Sequence, residues 1–510
     1  MKTAFTDMLR RQLKKYRSLF ITAGLTCFFS YFYLMVKGQG GADAVCEGVH
    51  YYHNEDWATA SARWMVRYVN LIVGKNVIIP FIVVILYCAM LALALCFLCE
   101  LFEIKRPLSH VIAAALMISC PIATQQFAFL YMCLGYCLSF LLVTVAMWLS
   151  RKRKPLYVLM SVPCYLIMLG CYQSYIAMIA ALGLLLFFRD QLCGVKQKDA
   201  WIDLGLVVAT AFAAALINFP FSDFMAKQVG MGIISRVSDF SLKDIIENLP
   251  FTLKYSYVWF VTPFTTDVLS KDKQYLLLFL LLLAALFVMF WGQIKKKEYL
   301  RFALCLASVL LLPLAMNVCV VLFPHNGLYD IMRQQYLLLV VLFFFLYEKL
   351  PEHKSFLWMY KGGCTVGALL TACYVLSANA TFILNGIIYD YTIREAGLML
   401  GRVYELEDYV PHETPIVLGD PIDYKDIEGI YPQMFRYAYM AGGPVFWEGP
   451  YGMTTGRYWF FREWMGVDPQ WIDVEEFEFV INNTEYVEMP VWPEPGSVKM
   501  IGRYAVIKTR

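Results

Sequence analysis

Between Gly38 and Arg67 the chain runs GQGGADAVCEGVHYYHNEDWATASARWMVR, which gathers Asp43, Glu47, His50, His53, Glu55, Asp56, Arg63 and Arg67 into one loop. Such a set suits removal of a proton by a carboxylate next to guanidinium groups that hold an anion. The small residues from Gly38 to Ala44 let the backbone turn sharply, which would hold Asp43 against a bilayer surface and away from bulk water. Desolvation there raises a carboxylate pKa toward the range of a working base. Glu47 is the neighbouring carboxylate that a modest shift of the turn would substitute. Glu47, His50 and His53, spaced by three, offer a divalent-metal set with Asp43, but histidines at a membrane surface are more often interfacial, and no cofactor is expected.

The elements that must position this loop are membrane helices. Of the residues, 60% are hydrophobic and only 16% charged, and the formal net charge is +3. Uncharged runs near twenty residues long require helices, because in lipid each segment must satisfy its own backbone. The 15 cysteines are scattered through apolar runs and absent after Ser377, which excludes a disulfide-stapled tail. Arg10, Arg11, Lys14, Lys15 and Arg17 place the N-terminus in the cytoplasm, and the first span, lacking a cleavage site, is expected to stay as an anchor.

In order, the expected spans are Ser18 to Val36, Val77 to Leu101, Pro107 to Ala123, Phe129 to Leu149, a pair joined at Tyr172-Gln173-Ser174, Leu204 to Asn218, Gln274 to Trp291, a pair joined near Pro324, and Phe356 to Leu376. That is about eleven spans, and each basic cluster (Arg151 to Lys154, Lys295 to Lys297, Lys349) falls on one side of the count. Outer loops then cover 38–75 and 220–273. In the first, Asn54 is the expected cap of a membrane-surface helix whose polar face holds Arg63 and Arg67, which are candidates for lipid phosphate or for plain interfacial anchoring. In the second, Ser241 and Asp244 predict a capped amphipathic helix that Pro250 ends.

Residues 1–384 thus form the membrane module and 385–510 an extracytoplasmic α/β cap. In the cap, Arg394 to Tyr409 is expected as a helix, and Pro415 to Leu418, Phe477 to Ile481 and Tyr504 to Lys508 as strands. Gln125, Gln126, Tyr172, Gln173, Asp330 and Arg333 all fall at outer span ends, on the side of Asp43. Polar groups at membrane depth are costly and point to function, although helix gluing explains any single one.

Asp43 soon after the first span, Ala62-Arg63-Trp64 in the same loop, Tyr172-Gln173, Arg333 and the closing segment Gly502 to Lys508 together resemble the O-antigen glucosyltransferases of the GT-C class. In those enzymes the loop usually carries an acidic residue or pair followed by Gly-Arg-Trp; here a single Asp43 stands there and Ala62 replaces the glycine. The resemblance implies a multi-pass enzyme of a bacterial cell membrane that moves a hexose, glucose by analogy, from a polyprenyl-phosphate carrier to a cell-surface glycan, with inversion and on the outer face. It implies Asp43 as base with Glu47 as substitute, and Arg333, Arg63 or Arg67 as the cation for the donor phosphate. Tyr172, Gln173, Gln125, Gln126 and Asp330 would then line the substrate. A polysaccharide polymerase or ligase would share this outer polar face, and a flippase would instead show broken helices in related halves. The cap's sequence offers no phosphate loop, no zinc spacing and no nucleophile signature, and no nucleic-acid partner is expected.

Overall fold

Pro80, Pro107 and Pro155 each occupy the first turn of a long apolar helix, where a missing N–H costs nothing and the fixed φ favours helical entry. The computed structural model describes residues 14–38, 55–74, 77–234, 242–265, 274–324, 330–351, 353–438, 449–450 and 452–510. Asp43, Glu47, His50, His53, Asn54 and Ser241 lie outside the described residues, as does the side chain of Asp330.

Among the described residues, eight helices are long and apolar enough to cross a membrane. The protein is a polytopic helical membrane protein. The expected count was higher for three reasons. Pro107–Ser150 forms one run where two spans were expected, Pro155–Cys171 has 17 residues, and Leu338–Lys349 has 12. The helices share one core that runs from Tyr16 to Phe382. Phe29, Phe212, Phe287, Leu310 and Leu376 point outward and stay exposed, as lipid-facing side chains do. The cysteines among the described residues are free thiols.

The helix ends that carry the basic clusters meet in one ionic layer. Arg151 grips the fully buried Asp190 at 2.7 and 2.9 Å, and Arg153 reaches Asp203 and Asp199, each at 2.7 Å. Glu103 takes Arg189 and, at 3.2 Å, Lys349. Glu348 accepts the backbone N–H groups of Lys105 (2.7 Å) and Arg106 (2.9 Å). Arg301 donates to the Gln191 carbonyl at 3.2 Å. Because these groups terminate helices whose other ends carry Gln126, Gln173, Asn317 and Arg333, the second polar set lies at the opposite end of the bundle.

Four local expectations are corrected. Pro250 does not end its helix, which spans Leu242–Thr265, because contacts beyond the proline hold it: Asn317 Nδ2 donates to the Ser256 carbonyl (2.9 Å) and Tyr257 to the Leu310 carbonyl (2.8 Å). The last span and the Arg394 helix are one 51-residue helix, Lys354–Tyr404. Phe477 to Ile481 belongs to the helix Val474–Ile481, not to a strand. Asp473 caps it by accepting the Glu476 N–H at 2.8 Å, and Glu476 reciprocates, a capping box that decides against a strand. The helix expected after Asn54 is two, Glu55–Ala60 and Trp64–Gly74, with Arg63 in the turn between them, so Arg63 and Arg67 do not share a helical face.

Beyond Phe382 a second core begins, from Leu384 to Ile507. Its sheet has the order β1-β3-β2, with β1 Ile416–Leu418, β2 Val498–Ile501 and β3 Tyr504–Ile507. β1 is parallel to β3 (Val417 opposite Val506) and β2 antiparallel to it (Met500 opposite Ala505).

Candidate active site

The turn at Ala62 organises one half of the polar end. After helix Glu55–Ala60 the Ala62 N–H returns to the Thr59 carbonyl (3.0 Å) and the Arg63 N–H to that of Ala58 (2.8 Å). This closure places Ala62 at φ 59, a left-handed conformation that glycine adopts freely and alanine only under strain. The adjacent Trp64 is buried with its Nε1 donating to Asn218 Oδ1 at 3.1 Å and its ring edge-on to Phe221, with centroids 4.7 Å apart. It lies so close to Gly170 that a Cβ there would sit 2.4 Å from the indole.

Two residues past Gly170, the hairpin closes on this turn. Gln173 Nε2 donates to the Ala62 carbonyl, and the Arg63 guanidinium carbon lies 5.1 Å from the Tyr172 ring centroid and 5.8 Å from that of Trp57. Tyr172 in turn stands edge-on to Tyr136 at 4.8 Å. The structure therefore joins Ala62-Arg63-Trp64 to Tyr172-Gln173 by direct contact. Arg67, by contrast, turns to Glu55 at 3.8 Å.

The other half is built around Arg333. It sits between the short 3-10 turns Asp330–Met332 and Gln334–Leu337, is only 2% exposed, and lies 4.7 Å from the centroid of Trp259. A desolvated guanidinium on an indole gains roughly 2 kcal/mol of cation–π attraction, which fixes its plane. Tyr336 donates to the Trp259 carbonyl at 3.1 Å, and Asn317 ties the same helix through Ser256. Gln334, 2% exposed, has neither amide atom hydrogen-bonded. Gln125 and Gln126 are buried on the short helix Pro121–Gln126, which packs on Asp330–Met332. Gln126 accepts from Tyr87, while its Nε2 stays without a partner.

The two halves share a neighbour: Cys319, just past Asn317, contacts the Ser174 carbonyl at 3.5 Å, and both Gln173–Tyr175 and Gln334–Leu337 pack on Ile176–Leu192. Trp259, Gln334 and Asn317 were missed from sequence; the amide pair Gln334-Gln335 directly after Arg333 was the available signal. A small apolar gap borders Tyr336, lined also by Leu116, Cys120, Ile122, Leu337, Val340 and Tyr374. With no charged or amide group in its wall it is a packing gap and not a sugar site. Among the described residues no group of His, Cys, Asp or Glu is arranged to hold a metal ion.

The model of one protein family, Glucosyl transferase GtrII, matches residues 47–347, a stretch that contains Ala62-Arg63-Trp64, Gln125, Gln173 and Arg333. The chain belongs to the GtrII glucosyl transferase family. Comparison with curated proteins and with solved structures gives no match. As a GtrII-family glycosyltransferase, the protein needs a sugar donor and a glycan acceptor, and the helical segments that form its polar end all fall within the matched stretch. The helix Lys354–Tyr404 and the second core follow it.

Proposed function

We propose that this GtrII-family enzyme moves glucose from a polyprenyl-phosphate carrier to a cell-surface O-antigen glycan, on the outer face of a bacterial membrane and with inversion. The observation that carries the proposal is Arg333: a guanidinium buried against Trp259, at the end of the bundle opposite the ionic layer. A hydrophobic setting with a preoriented fork suits a phosphate attached to a lipid, whereas a nucleotide-sugar site would be expected in water.

The acceptor hydroxyl oxygen attacks the anomeric carbon from the side opposite the phosphate. The new C–O bond forms as the bond from that carbon to the phosphate oxygen breaks, and its electron pair leaves with the polyprenyl phosphate. Asp43 takes the hydroxyl proton, with Glu47 as its substitute, and Arg333 neutralises the charge gathering on the leaving phosphate. Arg63, held over Tyr172, is placed for the acceptor side or a second phosphate contact; Arg67, engaged by Glu55, is the weaker candidate. Gln334, Gln125, Gln126, Gln173, Tyr172 and Asp330 would meet the sugar hydroxyls. No metal is assigned.

The test is Arg333. Arg333→Ala should weaken donor binding or slow departure of the phosphate, and Arg333→Lys should restore part of the loss, because a point charge replaces a planar fork. Unchanged donor affinity and turnover in Arg333→Ala would make the residue structural and pass the role to Arg63.

A further inference from the structure

The family match ends at residue 347, so the second core has no task assigned by it. Among the described residues of that region, Arg457 is the largest side chain with essentially no exposure, at 0%. Its Nε, Nη1 and Nη2 all lack a hydrogen-bond partner. The other deeply buried arginines are satisfied otherwise: Arg189 by Glu103 and Asp190, Arg333 by Trp259. An unpaired buried guanidinium is among the most costly groups a fold can hold, and a methionine of similar shape would avoid that cost. Burial pushes the guanidinium down to about 9, which still leaves it charged at neutral pH.

Its position adds an independent sign. Arg457 is the first residue of the eight-residue segment Arg457–Trp464, which continues directly from a single π turn, Gly452–Gly456, of sequence Gly-Met-Thr-Thr-Gly. Such turns are rare and concentrate at functional sites. The helix packs at Tyr389, whose ring centroid is 4.9 Å from that of Trp464.

We propose that Arg457 is the anion-receiving group of the C-terminal region, taking a phosphate or carboxylate carried by the acceptor glycan beside the Gly452–Gly456 turn. Identification of the glycan rests on the proposed function, but anion binding itself does not.

The experiment follows thermal unfolding of the full chain in detergent, with inorganic phosphate or an oligosaccharide containing uronic acid, at matched ionic strength. The wild type should shift upward by roughly a few degrees at saturation. Arg457→Met should start at least as stable and lose the shift given by the uronic oligosaccharide, while Arg333→Ala keeps it, which separates this site from the donor site. Vesicles of anionic lipid should give a weaker response than the uronic oligosaccharide; a stronger one would overturn the glycan assignment. An absent wild-type response, or an equal one in Arg457→Met, overturns the proposal. So does equal destabilisation by Arg457→Met and Glu448→Gln, which would make Glu448, outside the described residues, an internal counter-ion. Should Arg457→Met fail to fold, the wild-type response compared with that of Arg457→Lys decides.

Discussion

Gln334→Leu separates a substrate-reading amide from a structural one, because the two roles move stability in opposite directions. The side chain is 2% exposed and both amide atoms lack partners, so the unliganded protein bears the cost of burying them. Each unsatisfied buried polar group costs about 1–3 kcal/mol, and an apolar side chain of similar shape removes that cost. The Leu variant should therefore unfold at the same temperature as the wild type or higher. If the amide instead gives two hydrogen bonds to hexose hydroxyls, each about 0.5–1.5 kcal/mol, transfer should fall by roughly 5- to 150-fold in kcat/KM. Thermal unfolding in detergent and initial rates of glucosyl transfer, measured on one preparation, read both quantities. A lower unfolding temperature with a proportionate loss of transfer would make Gln334 a packing residue, and full transfer would remove it from the site.

Gly170→Ala places a Cβ 2.4 Å from the Trp64 indole in a buried contact, so the ring must move and its hydrogen bond to Asn218 is strained. Overpacking of this kind costs about 1–3 kcal/mol, and a fall in the denaturation midpoint at an unchanged slope would show it. For topology, a membrane-impermeant thiol reagent on intact cells should label a cysteine introduced at Asp420 and spare one at Lys296; the reverse pattern would put Asp43 on the wrong face.

Much of the helical framework was legible because long apolar runs leave the backbone few options in lipid, and proline marked where several of them begin. Boundaries were misread where tertiary contacts overrule local signals. Pro250 looks like a stop, yet Ser256 and Tyr257 beyond it are bound to Asn317 and Leu310, and the helix continues. Phe477 to Ile481 alternates like a strand, yet the Asp473 and Glu476 exchange starts a helix. The pairing of Arg63 with Tyr172 spans more than a hundred residues and follows from no local pattern, whereas the pairing of Arg67 with Glu55 is local and could have been read. Ala62 shows the reverse gain: its φ of 59 explains in physical terms why glycine suits the position.

The most direct measurement incubates purified protein with polyprenyl-phosphate glucose, or with a nucleotide-activated glucose, and an acceptor glycan, and follows sugar transfer for the wild type, Asp43→Asn and Glu47→Gln. The account predicts transfer from the lipid-linked donor alone, with inversion, lowered by ~100-fold to ~10,000-fold in Asp43→Asn while donor binding persists. Collapse in Glu47→Gln with near-normal Asp43→Asn would reassign the base. Transfer from the nucleotide sugar, or near-normal transfer by both variants, would contradict the mechanism.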